Sequence, residues 1–366
     1  MKKWMLLVAA LTASSAMAQA NTVTVRDIAG RTVMVPRDPQ RIILGEGRLL
    51  FATALLDRED PFKRLVAWGD DLIKNAPDAY KKYKAAFPDS AGKVQNLGTP
   101  YKIFSTEQVI VTKPDLVILT ETQHTSLQES GLLDRLDSMK IPYIFVDFRE
   151  DTIKNTVPSI SILGKALNQE ARAKEYIDFY NKNMAIIKNR IARTSTRPLV
   201  FVDRAAGHDP NQCCKTFGPH SFGEFIEVAG GRNWGSTLTD KLAADVSPEA
   251  VIKANPDVII ATTADWENTL SVPLGYTAQP SRVNARMRGL AQRTGFNNLK
   301  AIQNKQFYAI YHQFYNSPYN VFAIQQIAKW LHPDEFRDVD PQANFIEMHR
   351  RLLPISYSGI FWTQLK

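Results

Sequence analysis

STEQVIVTKPDLVILT, Ser105 to Thr120, returns almost intact as SPEAVIKANPDVIIAT, Ser247 to Thr262. At a constant offset of 142 the copies match at Ser105/Ser247, Glu107/Glu249, Val109/Val251, Ile110/Ile252, Pro114/Pro256, Asp115/Asp257, Ile118/Ile260 and Thr120/Thr262. Each copy reads as a helix, a turn and a buried strand. The Ser caps the helix, the Glu stands in its first turn where the dipole favours a carboxylate, and Pro-Asp stops it before a short apolar run. That is half of a βαβ unit. Two copies so far apart are too few for a solenoid and mark equivalent corners of two similar lobes.

The flanking sequence fills in both lobes. Val23–Arg26 and Thr32–Val35 form a hairpin, and Arg41–Leu44 is a strand followed by a helix that Gly45-Glu46-Gly47 opens and that runs through Leu56. Leu65–Trp68 is the next strand, and Ala76–Phe87 a helix whose Tyr80, Tyr83 and Phe87 read as core. A helix over Ser126–Met139 then leads into the strand Tyr143–Val146. Strands separated by helices imply parallel sheets with ligand-facing loops at the strand carboxyl ends. The apolar spacing from Asn168 to Arg193 predicts one long helix of about 39 Å, enough to pass from one lobe to the other. Before it, Thr152–Leu163 is helical in pattern but holds Pro158, where a break is expected. The second lobe opens with the strand Leu199–Val202 and a loop rich in functional side chains, and Phe307–Tyr311 is its last strand. Val321–Leu331 and Phe345–Leu353 are terminal helices. The predicted fold is α/β: two Rossmann-like lobes with mainly parallel sheets, joined by a single long α-helix, with a ligand cleft between them. Residues 21–165 form the first lobe, 166–195 the connector and 196–366 the second lobe, with room for the last helices to pack back on the connector.

Residues 1–20 carry Lys2 and Lys3, an apolar run from Met5 to Ala13, and small residues that offer cleavage after Ala18 or Ala20; this is the pattern of a secretory signal peptide. Without Lys2 and Lys3 the formal charge falls from +8 to +6, a modest excess compatible with an anionic ligand. Nucleic acid is not an expected partner of an exported chain with dispersed Lys and Arg. Cys213 and Cys214 are the only cysteines. Neighbouring Cα atoms across a trans peptide lie about 3.8 Å apart, closer than disulfides prefer, so the fold is expected not to depend on a disulfide framework.

The whole chain after the leader resembles the periplasmic substrate-binding proteins of ABC importers for ferric siderophores, haem and cobalamin. The matching stretches are TVTVRDIAGRTVMVPRDPQRII, FSTEQVIVTKPDLVILT, VSPEAVIKANPDVIIAT and FNNLKAIQNKQFYAIY. The resemblance implies a periplasmic, monomeric protein that binds a small iron chelate between its lobes, holds no cofactor of its own and delivers its load to an inner-membrane permease. It also implies that Glu107 and Glu249 dock on that permease. Ligand candidates are the loop residues at strand exits: Arg48, Trp68, His124 and Arg149 in the first lobe, with Arg204, His208, His220, Trp266, His312, Tyr315 and Tyr319 in the second. Arg pairs with carboxylate or catecholate oxygens, and Trp and Tyr pack on a planar chelate.

Other chemistries fit less well. Gly45-Glu46-Gly47 lacks the third glycine of a dinucleotide fingerprint, since Leu50 stands where Gly or Ala is needed. Gly218 to Gly223 has one residue too many before Ser221 for a nucleophile elbow, and H-E-x-x-H is absent, so an exported enzyme is the weaker reading. Cys213, Cys214 and His220 are candidates for direct coordination of a soft or borderline metal ion, though their spacing matches no recognised signature. Haem held through a Tyr or His is a further alternative.

Overall fold

The structure, a computed structural model, describes residues 22–99, 106–209, 213–267 and 269–366. The expected leader and the Ser105 cap lie outside the described residues. Among these, an antiparallel hairpin pairs β1 (Thr22–Arg26) with β2 (Thr32–Pro36). The first lobe is built on a parallel sheet of β3 (Ile42–Leu44), β4 (Leu65–Trp68), β5 (Gln95–Asn96), β6 (Leu116–Thr120) and β7 (Tyr143–Val146), in the order β5-β4-β3-β6-β7. The second lobe has a core of parallel β8 (Leu199–Asp203), β12 (Val258–Thr263) and β13 (Phe307–Tyr311). Short β10 (Arg232–Asn233) joins β8 in parallel. Antiparallel β9 (Lys215–Phe217), β11 (Ala243–Asp245) and β14 (Trp362–Gln364) close the edges.

The two copies of the repeat form the same elements at equivalent positions. Their helices are Thr106–Val111 and Pro248–Ala254, and their strands β6 and β12 begin at equivalent residues. Lys113 and Asn255, again 142 apart, both adopt positive φ where the helix ends. The twin aspartates explain the Pro-Asp pair. Asp115 accepts from the backbone of Gln40 and Arg41 at 2.7 and 2.9 Å, and Asp257 from that of Leu199 at 2.7 Å, so each ties its turn to the start of the adjacent strand. Ser247 caps its helix, accepting from Ala250 N at 3.2 Å.

Several elements differ from the sequence reading. The helix expected to follow Gly45 is a 3-10 turn over Gly47–Leu49 and one α-turn, Leu50–Thr53. The helix expected over Ser126–Met139 is two, His124–Glu129 and Leu132–Ser138, parted by Gly131 at φ 73°. Pro158 breaks nothing, because the helix runs from Thr152 to Ala166. Pro158 and Lys154, whose carbonyl loses its donor, both lie on the exposed face, so the lost bond does not leave a carbonyl sealed in the core. The chain turns instead at Asn168, with φ 56°, and Gly164 lets the next helix approach, since a Cβ there would lie 2.4 Å from that of Ala173. Strands β9, β10, β11 and β14 are too short for a pattern of period two to declare them.

The long helix is Glu170–Ile191, 22 residues or about 33 Å. Its first turns are tied to the first lobe by Arg58–Glu175 at 2.7 Å and by Arg172 donating to Leu56 O at 2.7 Å. Its last turn is tied to the second by Arg190 on Asp338 and Glu335 O, each at 2.6 Å. Between these ends Tyr176 donates to Pro318 O and Tyr180 to Asn320 Oδ1, while Asn320 donates to Thr156 Oγ1. The late helix Asn320–Leu331 is thereby bound to both helices of the connection.

Candidate functional site

Parallel strands from both sheets end at the gap between the lobes, and the loops that follow them enclose a cavity of about 330 Å³. That volume falls at the small end of ligand pockets, which run from about 300 to 1,000 Å³. Of the sequence candidates, Arg48 and Arg149 line it from the first lobe, and Arg204, His208, Trp266, His312 and Tyr315 from the second. Cys214, a candidate for direct metal coordination, also lines it, and Asn75, Asp203, Ala205, Ala206, Gly207, Asp209 and Lys215 complete the lining without having been candidates. The loop after β8 closes tightly over the cavity. Gly207 has φ 72°, and a Cβ there would press within 2.9 Å of the Leu270–Ser271 peptide, so this position requires glycine.

Four candidates lie elsewhere. Trp68 ends β4 but turns inward, edge-on to Phe62 and Tyr80, and is buried in the core. Tyr319 is buried between Phe51 and Phe345. His124 packs on Phe145 with Nδ1 3.2 Å from Glu121, and His220 lies 3.2 Å from Asp240 O. A strand-exit rule places a residue along the chain, but side-chain direction alternates, and packing decides which way each one points.

Arg48 is the most constrained cation. Fully buried, it donates from Nε to Asp71 at 2.6 Å, and from Nη1 to Tyr315 Oη at 2.7 Å and Gln313 Oε1 at 3.2 Å, with Glu46 3.4 Å from Nη2. Asp71 also accepts from Gly47 N at 2.5 Å. Burial raises the Asp71 carboxyl, against the pull of Arg48. Burial would likewise raise the Tyr315 phenol, but Arg48 and Arg149 outweigh it and hold that group below its ordinary range. The Arg149 guanidinium lies 5.4 Å from the Tyr315 ring centre, and that of Arg204 5.4 Å from the Phe217 ring. Asp203, in contrast, is engaged by Arg293, so its charge is spent inside the second lobe.

His312 is buried against Trp266, Phe217 and Tyr315, with ring centres at 5.3, 6.2 and 4.6 Å. Burial pushes its pKa well below the usual histidine value, and Arg204, Arg48, Arg149 and His208 push the same way. His208 stands edge-on to Trp266 at 4.9 Å and is also lowered by burial. The Trp266 indole crosses the gap and donates to Asn75 O at 2.9 Å, and Gln313 donates to the same carbonyl at 2.5 Å. Deeper in the gap, Asp78 of the first lobe accepts from Tyr276 N at 2.9 Å and from Tyr311 Oη at 3.0 Å.

The metal candidates do not assemble. Cys213 and Cys214 are joined by a disulfide and so offer no thiolate, and their Cα atoms are 3.0 Å apart rather than 3.8 Å because their peptide bond is cis. Among the described residues, no group of three or more His, Cys, Asp or Glu side chains is placed to hold an ion. Glu107 and Glu249 are exposed, each in the first turn of its helix, away from the cavity lining.

Comparison with known proteins agrees with this architecture. The family model described as periplasmic binding protein matches residues 59–313. Among curated proteins, the high-affinity heme uptake system protein IsdE of Staphylococcus aureus strain MRSA252 is 24% identical over 236 residues, covering 64% of this chain and 71% of that protein. Among solved structures, the TroA-like periplasmic binding protein FepB from Veillonella parvula superimposes with a TM-score of 0.86 at 27% identity, covering 94% of this chain and 100% of the other. The molybdate-bound MolA of Haemophilus influenzae shares the fold, with a TM-score of 0.69 at 18% identity over 92% of this chain and 99% of the other.

Proposed function

Because the chain belongs to the periplasmic binding protein family, whose members are transport proteins rather than enzymes, we propose that it captures an anionic ferric siderophore and hands it to an inner-membrane ABC permease. The observation that carries this reading is the convergence of Arg149 and Arg204 with Trp266 and Tyr315 on one cavity between the lobes, with Arg48 behind them paired to Asp71 and Glu46. Guanidinium groups pair with oxygen-rich anions, and the aromatic rings pack on planar chelating groups. Catecholates leave a ferric complex strongly anionic, whereas hydroxamates leave it close to neutral. The cationic lining therefore favours the catecholate. Titration of a ferric tris-catecholate should quench the fluorescence of Trp266 saturably, and a neutral ferric tris-hydroxamate should bind at least tenfold more weakly. Equal affinity for the two would refute the charge argument.

Haem is the second reading. IsdE is named as a heme uptake protein, and Tyr315, with its lowered phenol, is the group here best suited to meet a ferric ion. A shifted Soret band on adding hemin, lost in Tyr315→Phe, would favour haem over the siderophore.

Glu107 and Glu249 are assigned to permease docking, since they are exposed at equivalent corners of the two lobes. Replacing both by Ala should abolish uptake and leave ligand affinity unchanged; wild-type transport by the double variant would sink the assignment. Residues 1–20 are assigned as a leader that is cleaved on passage to the periplasm, which the N-terminal mass of the exported protein tests.

A further inference from the structure

The hydrogen bonds behind His312 determine which face its ring shows the ligand. Ala205 N donates to Thr262 Oγ1 at 2.9 Å, and Thr262 Oγ1 lies 2.8 Å from His312 Nδ1. Thr262 is completely buried, and its hydroxyl has one proton to give. A backbone N–H can only donate, so the contact to Ala205 uses an oxygen lone pair. Were His312 also to donate through Nδ1, the hydroxyl proton would be sealed in the interior with no acceptor, a costly arrangement. The hydroxyl therefore donates to a bare Nδ1, and the ring proton resides on Nε2. Packing against Trp266, Phe217 and Tyr315 keeps the imidazole from turning over.

We infer that His312 is a specificity-determining residue: Ala205 and Thr262 hold it as a neutral Nε2–H donor at the cavity wall, so it donates to an anionic ligand oxygen and rejects a bare divalent cation. This deepens the chelate reading and rests on it for the identity of the ligand. Metal coordination by a histidine needs a lone pair, and the one this ring possesses is occupied by Thr262. The depressed pKa agrees, since an imidazole that stays neutral among Arg48, Arg149 and Arg204 adds a directed donor without adding to their repulsion. Thr262 is the positioning residue and touches no ligand itself.

The test starts from the full ligand-free protein. A long-range proton–nitrogen correlation spectrum, with the His312 signals identified by their loss in His312→Gln, should show Nε2 protonated and Nδ1 bare. Thr262→Ser should preserve that pattern, and Thr262→Val should give a mixture of tautomers. A ring protonated on Nδ1, a doubly protonated ring or a tautomer mixture in the wild type would overturn the inference, whether or not the Val variant folds. In a fluorescence titration the wild type should show no saturable response to nickel chloride; saturable binding lost in His312→Gln would also overturn it. For a ferric tris-catecholate, His312→Phe should weaken binding by about tenfold, the value of one hydrogen bond to a charged acceptor. Failure of every ferric chelate to bind, alongside the expected tautomer, would refute the proposed ligand and leave the donor assignment standing.

Discussion

The two lobes use the same strand-end threonine for opposite purposes. Pairing of Leu44 with Ile118 and of Val202 with Ile260 makes Glu46 and Arg204 equivalent positions, each two residues beyond its strand pair. In the first lobe Thr120 donates to Glu46 at 3.0 Å, and that carboxylate sits among Asn316, at 2.8 Å, and Arg48. In the second lobe the equivalent position is a cation, so Thr262 has no carboxylate to address and orients His312 instead. One end of the cleft is therefore a buried ionic network that joins lobe to lobe, and the other is a set of cations and donors held against the ligand space. The charge of one residue at equivalent positions, Glu46 or Arg204, thus decides what the strand-end threonine of each lobe addresses.

Removing the cation on each side should separate the two roles. Arg48→Ala leaves Asp71 and Glu46 buried without their counter-ion and should cost about 3–5 kcal/mol in urea unfolding. Arg204→Ala, which takes a guanidinium off the Phe217 ring at the cavity wall, should cost less stability than Arg48→Ala while weakening a ferric tris-catecholate at least tenfold. Equal loss of stability in both would collapse the distinction. His349 offers a control for His312, because both of its nitrogens are engaged, Nδ1 by Phe345 O at 2.8 Å and Nε2 by Tyr276 Oη at 3.0 Å. Burial lowers its pKa to about 4, below the ordinary 6.5, so the unfolded chain takes up its proton first as the pH falls. Its contribution is complete above pH 6.5 and is lost toward pH 4, by about 2 kcal/mol at pH 5. His349→Phe should remove that much of the stability difference between pH 7 and pH 5; an unchanged pH slope would show that this histidine is not held neutral.

Smaller effects probe the repeat itself. Thr120→Val removes one buried donor to Glu46 and should cost about 1–2 kcal/mol, while leaving the His312 ring spectrum unaltered. Ser247→Ala removes a helix cap and should cost about 1 kcal/mol by the same urea measurement. Ligand affinity should be unaffected by it.

The sequence carried the parts of this design that are local or repeated. The matched helix and strand, the twin aspartates and the apolar stripe on Glu170–Ile191 all depend on spacing along one segment, and they led to the fold. Seven of the cavity residues were also legible, because an Arg, His, Trp or Tyr just after a parallel strand is visible as such. Trp68 and Tyr319 failed the same rule because their rings complete the core, which depends on partners such as Phe62 and Phe345 far away in the chain. Asn75 could not be read because its contribution is a backbone carbonyl. The pairing of Thr262 with His312 spans 50 residues and exists only once β12 and β13 lie side by side.

The core has a consequence for how the chain is made. One continuous apolar cluster runs from Val25 through the helices of the connection to Phe361, and β14 completes the second sheet only at Trp362–Gln364. Asp78 waits for Tyr276 and Tyr311, and Thr156 for Asn320, each more than 160 residues later. A chain that emerges from a ribosome or a channel amino end first thus carries a first lobe without these partners until Asn320 is free. Its exposure to aggregation and proteolysis is set by the time needed to synthesise or thread the polypeptide as far as that residue, which makes a holding chaperone most valuable to the part of the molecule that is made earliest.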